Sequence, residues 1–424
     1  MKTLLCALFG AALLAPSSFA QTTLITNGRV VTNADAGIIE NGSVLVRDGD
    51  IVAVGASIEN VDEDATVVDA EGGWITPGLF HPHTQLGLVE VALESSTSDA
   101  SANESHFTAA IDVADAFNPN ATHIASTRIE GVTRFALFPS TGSAIIGGRG
   151  ALGETSGDAD SLFATRQFLF ADLSQSGAST AGGSRAAAWA FLRAALEDAR
   201  FYPGRFMAHH EGDAIDRFDA AALVSAARGQ IPLVLFVDRA ADIRRALAFR
   251  DGNQQLQLII AGGAEAWMVA DELAEAGVPV ILDPLRNLPG SFDTLASRQD
   301  GPALLHAAGV TTAYTTVTAD LYFNPRLLAQ HAGNAVTAGA QWADAFRSIT
   351  LTPAEIYGVG DRYGALAPGY AGDVVVWDGD PLEVMSAPVA VLIDGETQSL
   401  ESRQTRLAER YAELRADGAY AYHH

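Results

Sequence analysis

The fold is decided around residues 76–85, which read TPGLFHPHTQ. Before this segment, the chain consists of short runs of strand-forming residues that are separated by turn dipeptides such as Asn41-Gly42. After it, apolar runs of strand length alternate with helical patterns, as a parallel sheet with crossover helices requires. The segment therefore predicts the junction between a β-rich N-terminal region and a larger α/β region.

Strand-like patterns return near the C-terminus, where residues 373–377 and 389–393 are apolar runs bounded by turn-forming residues. We therefore predict an α/β fold in which both chain ends form one small composite β-sandwich and the chain between them forms a TIM-like (β/α)8 barrel. The predicted segments are a signal peptide at 1–20, the first part of the sandwich at 21–78, the barrel at 79–365, the second part of the sandwich at 366–400 and a helical tail at 401–424.

Residues 1–20 have the features of a secretory signal. Lys2 supplies a positive charge, residues 4–14 form an apolar run too short to span a bilayer, and residues 18–20 read SFA, a small-x-small cleavage site. We predict a periplasmic or secreted protein, with an uncleaved membrane anchor as the alternative. No further run of the length of a membrane span follows in the sequence.

The residue counts exclude several chemistries. The chain has 51 Asp and Glu against 26 Lys and Arg, a net charge of −25, which disfavours nucleic acid and anionic membranes as partners. Lys2 and Cys6 are the only residues of their types, so a mature chain beginning at Gln21 lacks both. Such a chain cannot form a Schiff base, a carboxylated-lysine metal bridge, a thiolate nucleophile or a disulfide. We expect a small-molecule substrate or ligand, and a homo-oligomer stays open.

Two separated motifs resemble the amidohydrolase superfamily, and within it imidazolonepropionase-like members. One motif is the PGL sequence at 77–79 with the histidines that follow it, and the other is APG at 367–369 with DVVVWDGDPL at 373–382. The resemblance covers nearly the whole chain and implies a barrel with a composite sandwich. It also implies hydrolysis of C–N bonds other than peptide bonds, in cyclic amides, by one or two divalent metals at the barrel's C-terminal face.

The resemblance assigns metal ligands by position, and this chain departs from the family pattern. Aligning residues 77–79 places His83 on the first metal histidine, Gln85 on the second and His81 on the preceding Asp. These three residues alternate along one strand, so we expect their side chains to converge on one cavity. Because Gln is a weak neutral ligand, the trio predicts at most a poor zinc site, and hydrogen-bonded structural histidines are the alternative.

The later family ligands are missing or displaced. Phe236 stands where the fifth strand carries His, residues 260–263 hold no imidazole for the sixth, and no Lys is left for the fourth. Asp320 is the nearest match to the Asp that ends the eighth strand, with a shift of one or two residues left open. The resemblance implies that Asp320 takes a proton from water, and Phe236 is expected in the substrate pocket.

Other polar residues are weaker candidates. Asp283 follows an apolar run and is a candidate general base, although a cap of the turn at Pro284 is the favoured alternative. Arg149 lies in the glycine-rich stretch 141–150, interpreted as a loop near the pocket mouth where it meets an anionic substrate. The HHE sequence at 209–211 is interpreted as a solvated polar turn.

Two functions from different classes follow from these residues. The first is an exported, metal-dependent hydrolase of cyclic amides, and whether it is an active enzyme is left uncertain because most of the family's ligands are absent. The second is a catalytically inactive barrel, a pseudoenzyme that binds a ligand or partner in the periplasm. A metal-free hydrolase that uses His83 and Asp320 as acid and base also stays open.

Overall fold

Two eight-stranded sheets organise the chain in the computed structural model, which describes residues 22–91, 93–207 and 213–412. The strands are β1 (Thr22–Val31), β2 (Ile38–Arg47), β3 (Asp50–Gly55), β4 (Thr66–Asp69), β5 (Trp74–Pro77), β6 (Leu79–Thr84), β7 (Val132–Leu137), β8 (Ile146–Glu154), β9 (Ala164–Asp172), β10 (Leu233–Val237), β11 (Leu258–Gly262), β12 (Val280–Leu282), β13 (Thr312–Tyr314), β14 (Val374–Trp377), β15 (Pro388–Ile393) and β16 (Glu396–Thr397). The helices are α1 (Thr122–Arg128), α2 (Gln175–Thr180), α3 (Arg185–Arg200), α4 (Arg217–Ala227), α5 (Ala240–Asp251), α6 (Ala270–Ala276), α7 (Gly301–Ala307), α8 (Leu328–Thr337), α9 (Trp342–Arg347), α10 (Leu351–Ile356) and α11 (Arg403–Tyr411). Within the described ranges, no helix combines the length and apolarity of a membrane span.

The first sheet joins the two ends of the chain. Its strand order is β16-β15-β14-β5-β1-β2-β3, with β4 paired to β1. The two ends meet where β14 runs antiparallel to β5, which places Val374 opposite Pro77 and Trp377 opposite Trp74. Apolar residues from both ends, including Ile75 of β5, form a separate core beneath this sheet. The prediction of a composite β region built from both chain ends is therefore confirmed.

The second sheet is the barrel, in which β6 to β13 follow one another in chain order. Its first and last strands are linked by the backbone of residues 348–349: the Tyr314 N–H donates to the Ser348 carbonyl (2.9 Å) and the Phe80 N–H donates to the Ile349 carbonyl (2.8 Å). Apolar side chains fill the interior, as expected for a barrel of this size. The predicted TIM-like barrel is therefore confirmed.

One strand departs from the ideal (β/α)8 pattern. Strand β8 runs antiparallel to both β7 and β9, so short connections replace the crossover helices at this point. A Cβ atom at Gly150 would lie 2.0 Å from the Phe168 ring, and one at Gly153 would lie 2.6 Å from the Phe135 ring. Glycine therefore lets β8 pack directly on its neighbours' aromatic rings. The interpretation of residues 141–150 as a loop is wrong for residues 146–150, which belong to β8.

Arg134 of β7 fastens the barrel to the terminal sheet. It is 2% exposed and makes two hydrogen bonds to Asp373, from Nε (2.6 Å) and from Nη2 (2.8 Å). It also pairs with Asp394 (2.7 Å) and Glu154 (3.1 Å) and lies 4.4 Å from the centre of the Tyr363 ring. Although burial alone lowers the pKa of the guanidinium, Asp373 and Asp394 raise it overall, so Arg134 stays charged.

Candidate functional site at the barrel mouth

The polar residues of the barrel collect at the carboxyl ends of its parallel strands, which we call the barrel mouth. Counting β6 as the first barrel strand, β9 is the fourth and ends at Asp172, β10 is the fifth and is followed by Asp238, and β12 is the seventh and is followed by Asp283. All three carboxyl groups are buried, with residue exposures of 7%, 2% and 4%. This is the end of a TIM-like barrel at which active sites form.

His83 of β6 lies among aromatic rings inside the barrel. Its ring centre is 4.1 Å from that of Phe138 and 5.8 Å from that of Phe170, and the residue is 4% exposed. Burial lowers the pKa of His83 to about 3, so the imidazole is neutral at physiological pH. Its Nδ1 atom is buried without a hydrogen-bond partner among the described residues. His83 therefore keeps an unpartnered Nδ1 atom among aromatic rings.

His81 is fully engaged by its neighbours. The backbone N–H of His83 donates to His81 Nδ1 (3.4 Å), which assigns the ring proton to Nε2, and Nε2 lies 3.0 Å from the Thr316 hydroxyl oxygen. Burial, and then the nearby His83 and His331 rings, lower the pKa of His81 well below its usual value. Neither ring nitrogen of His81 has a lone pair left for another ligand.

The expected alternation of His81, His83 and Gln85 is interrupted. In the pairing of β6 with β7, His81 faces Phe135 and Thr84 faces Leu137, so β6 carries one extra residue and a bulge. As a result, the three side chains have different neighbours: His81 contacts Thr316, His83 contacts aromatic rings, and the Gln85 amide donates to the Ser140 hydroxyl. The available sequence signal was Pro82, because a proline inside a strand often marks a bulge.

Asp283 holds three segments together. Its Oδ1 accepts hydrogen bonds from the Leu285 N–H (2.8 Å) and from His331 Nδ1 of α8 (2.9 Å), and its Oδ2 accepts from the N–H and hydroxyl of Thr318 (2.6 and 2.7 Å). Burial by itself raises the pKa of Asp283, but the bonds from His331 and Thr318 lower it overall. The Leu285 bond is the turn cap that the sequence favoured, while the role as a general base stays a prediction.

Asp320 lies in the loop after β13 rather than at the strand's end. Its Oδ1 accepts hydrogen bonds from the backbone N–H groups of Tyr322 (3.0 Å) and Phe323 (3.4 Å), and its own backbone has a φ of 94°. The side chain that follows β13 and contacts His81 is Thr316, which is fully buried. The position of Thr316, two residues after strand β13, could have indicated a site residue, but its hydroxyl does not match the carboxylate that the family pattern expects.

Phe236 sits at the fifth strand's mouth position, beneath an ion pair. The Arg286 guanidinium carbon lies 5.5 Å from the centre of the Phe236 ring, and Arg286 binds both Asp238 oxygens (2.9 and 2.8 Å). Burial raises the pKa of Asp238 to about 6, although Arg286 opposes this shift. Sequence reasoning missed Asp238 and Arg286, because only the fold brings the fifth and seventh strands' ends together.

Arg149, which the sequence singled out, and Asp172, which it did not, both have internal partners. Arg149 is in β8, where its Nη2 donates to the Ala110 carbonyl (2.9 Å) and lies 3.9 Å from Asp112, so it holds residues 110–112. Asp172, which sequence reasoning missed, accepts the Ser174 N–H (2.7 Å), and burial raises its pKa. The HHE sequence at 209–211, the predicted signal at 1–20 and the chain after 412 lie outside the described residues.

A resident divalent metal does not fit these residues. A tight zinc site needs three or four nitrogen, oxygen or sulfur ligands in tetrahedral geometry. The described part of the chain contains no group of three His, Cys, Asp or Glu side chains able to hold a metal ion. His81 and Gln85 are hydrogen-bonded elsewhere, and Phe236 fills the fifth strand's position with an apolar ring. The loss of ligands that the sequence indicated is therefore also a property of the folded site.

Comparison with known proteins places the chain among amidohydrolases. The model of the amidohydrolase family matches residues 74–400. An imidazolonepropionase from Acidiphilium cryptum is 29% identical over 410 residues, covering 85% of this chain and 94% of the relative. A solved amidohydrolase structure from Thermotoga maritima superposes with a TM-score of 0.79 at 25% identity, covering 88% of this chain and 99% of that one.

Two other relatives match only short segments of this chain. An amidohydrolase from Hapsidospora irregularis is 39% identical over 99 residues, and an imidazolonepropionase from Geobacillus kaustophilus is 51% identical over 59 residues. These matches cover 22% and 12% of this chain and only 10% and 14% of the two relatives. The family model, in contrast, spans most of the chain and includes both the barrel and the returning terminal strands. The chain therefore belongs to the amidohydrolase family.

Proposed function

We propose that this protein hydrolyses C–N bonds, other than peptide bonds, in small cyclic amides bound at the barrel mouth. The proposal is supported by the family match and by similarity over nearly the full length of an imidazolonepropionase. A shorter match to a dihydroorotase, 38% identical over 82 residues, points to the same substrate class but covers only 18% of each protein. The observation that carries the proposal is His83, a buried neutral imidazole with an unpartnered Nδ1 beside aromatic rings at the barrel mouth.

In this proposal, the residues around His83 bind the substrate, and other residues at the barrel mouth transfer protons. The proposal expects a flat, uncharged ring to bind beside Phe138 and Phe170 once these buried rings move apart, and the unpartnered Nδ1 of His83 then offers one hydrogen bond to an amide group. With a pKa of about 3, His83 is too weak a base to remove a proton near neutral pH. Asp238, with a pKa of about 6, is better matched to proton transfer, and Arg286 beside it is placed to stabilise negative charge.

Binding without hydrolysis is the second candidate, and one observation favours it. No described group of three side chains fits the metal on which the family's chemistry rests, and the mouth carboxylates already have internal partners. In this case, the barrel binds a cyclic amide beside His83 in the periplasm without cleaving it. The family pocket then serves as a receptor rather than as an active site.

One experiment separates the two candidates. The purified full chain is assayed for turnover and for binding of hydantoin, dihydroorotate and imidazolone propionate, with and without added zinc. The hydrolase proposal expects turnover that falls about 100-fold or more in Asp238→Asn, with an acidic limb near pH 6 in wild type that the variant loses. Saturable binding without turnover in any metal condition supports the receptor, and His83→Ala then weakens it while the exposed His106→Ala does not.

Export is the remaining part of the proposal, and its support is the sequence of residues 1–20 alone. We propose that cleavage after Ala20 releases a periplasmic or secreted protein. Expression of the full chain followed by intact-mass analysis of the periplasmic fraction tests this directly. A protein recovered there with Gln21 as its first residue supports export, whereas full-length protein in the membrane fraction supports the anchor.

A further inference from the structure

A polar cleft lies on the outside of the barrel, between α1 and the C-terminal helix α11. It has a volume of about 430 Å³. Its walls carry three arginines, Arg128 of α1 and Arg403 and Arg406 of α11, against one carboxylate, Glu401. Thr122 and Ser156 also line it. The cleft is therefore a locally cationic place on a chain whose net charge is −25.

Arg128 is the unusual member of this cleft, because its charge is buried without a counter-charge. The residue is 8% exposed, and Nη1 donates to the carbonyls of Thr155 (2.9 Å) and Ser156 (2.6 Å). Within the described residues, it forms no ion pair, and its Nε has no hydrogen-bond partner. Burial lowers its pKa, and the more distant Asp158 opposes that shift only in part. A buried cation is ordinarily paired, since desolvation is costly.

Arg403 and Arg406 line the same cleft as Arg128, and their guanidinium groups are available to bind a ligand. Both are exposed, and neither makes an ion pair or side-chain hydrogen bond with any part of the chain that the structure describes. They occupy the first turns of α11, whose start is fixed by a capping box between Ser402 and Thr405. Two exposed guanidinium groups and one buried guanidinium in the same cleft form a set of donors that matches a multiply charged oxyanion.

We propose that this cleft, termed the α1–α11 cleft, binds a tetrahedral oxyanion of the phosphate type, either free or as the phosphoryl group of a small molecule. The anion compensates the buried charge of Arg128 and joins α11 to the barrel through Arg403 and Arg406. The site lies away from the barrel mouth and is independent of the hydrolase proposal. The net negative charge of the rest of the chain does not prevent anion binding in this cleft, because charges more than about 10 Å apart are screened at ordinary salt concentrations.

The test uses the full chain and titrates inorganic phosphate and glycerol 1-phosphate by calorimetry at low and high NaCl. The binding variant is Arg403→Gln/Arg406→Gln, which changes only exposed side chains. The control is Arg217→Gln/Arg228→Gln, which removes the same charge from exposed arginines at the two ends of α4 that lack ion pairs in the described structure. Hydrogen exchange of residues 403–411 is measured with and without phosphate.

We expect saturable binding that weakens with salt and falls about tenfold or more in the cleft variant but not in the control variant. Phosphate should slow exchange in α11 of the wild type and of the control. Tighter binding of glycerol 1-phosphate identifies a phosphorylated small molecule, and equal binding identifies free phosphate. Absence of saturable binding overturns the proposal. An equal loss of binding in the cleft variant and in the control variant also overturns it.

Discussion

Replacement of Arg134 by methionine tests whether the barrel and the terminal sheet are held together by one buried ion cluster. The variant removes the guanidinium but keeps an apolar side chain of similar length over Tyr363. It leaves Asp373, which is 4% exposed, without the two hydrogen bonds from Arg134. The Thr133 hydroxyl (3.3 Å) and the Asp394 N–H (3.0 Å) remain as its partners.

The expected cost follows from the uncompensated charge. Removing one partner of a buried ion pair costs about 3–5 kcal/mol, because the other charge stays desolvated. With an unfolding entropy of about 2.1 cal/mol/K per residue, a loss of about 4 kcal/mol lowers the Tm of a chain of this length by roughly 5 °C, if it unfolds in one transition. Calorimetry measures the shift, and hydrogen exchange should rise first in β14, which follows Asp373.

Two controls separate this effect from a general loss of charge. Arg244→Gln breaks the Arg244–Glu272 pair, whose side chains are 52% and 45% exposed, and it should cost less than about 1 kcal/mol. The double variant Arg134→Met/Asp373→Asn removes the stranded carboxylate and should recover part of the lost stability. A single Arg134→Met variant that melts within about 1 °C of the wild type would refute the reasoning.

Three further predictions concern single side chains. The pKa of His83 is about 3 in the folded protein and about 6.5 in the unfolded chain, so protonation of the unfolded chain lowers the free energy of unfolding as the pH falls below about 6.5. In urea unfolding, His83→Phe should therefore lose about 1.4 kcal/mol less of this free energy than the wild type between pH 7.5 and 5.5. Equal losses in the two proteins contradict this prediction. Thr316→Val leaves the buried His81 Nε2 proton unpaired and should cost about 1–3 kcal/mol in the same assay, whereas Thr316→Ser should restore the bond. Ser402→Ala removes the α11 capping box and should speed hydrogen exchange at residues 403–406 while leaving the overall Tm unchanged; unchanged exchange there argues against the cap.

Much of the fold was predictable because its signals are local. Alternating apolar runs and helical patterns indicate crossover units, and the returning strands at 373–377 and 389–393 indicate a second contribution to the terminal sheet. The prediction failed where packing overrides a local signal. Glycines at 147–150 suggest a loop, but they are required because β8 packs against the rings of its neighbours.

The sequence predicted which family ligands are missing from the candidate site better than it predicted the contacts of the polar residues that are present. Phe236 at the fifth strand and the missing imidazole at the sixth follow from residue identity alone. The partners of the remaining polar groups do not, because Asp238 with Arg286 and Asp283 with His331 are separated by 48 residues each. Such pairs form only when the barrel brings strand ends and helix α8 together.

By itself, the sequence determined that this chain is an amidohydrolase-type barrel with a terminal sheet, and that no Lys or Cys chemistry is available after Gln21. Residue identity and short-range periodicity suffice for those conclusions. Only the tertiary structure decided that His81 and His83 serve different purposes, since an extra residue in β6 turns one ring toward Thr316 and leaves the other among aromatic rings. The orientation of a side chain at the barrel mouth depends on the backbone register and on residues distant in the sequence, and the local sequence pattern specifies neither.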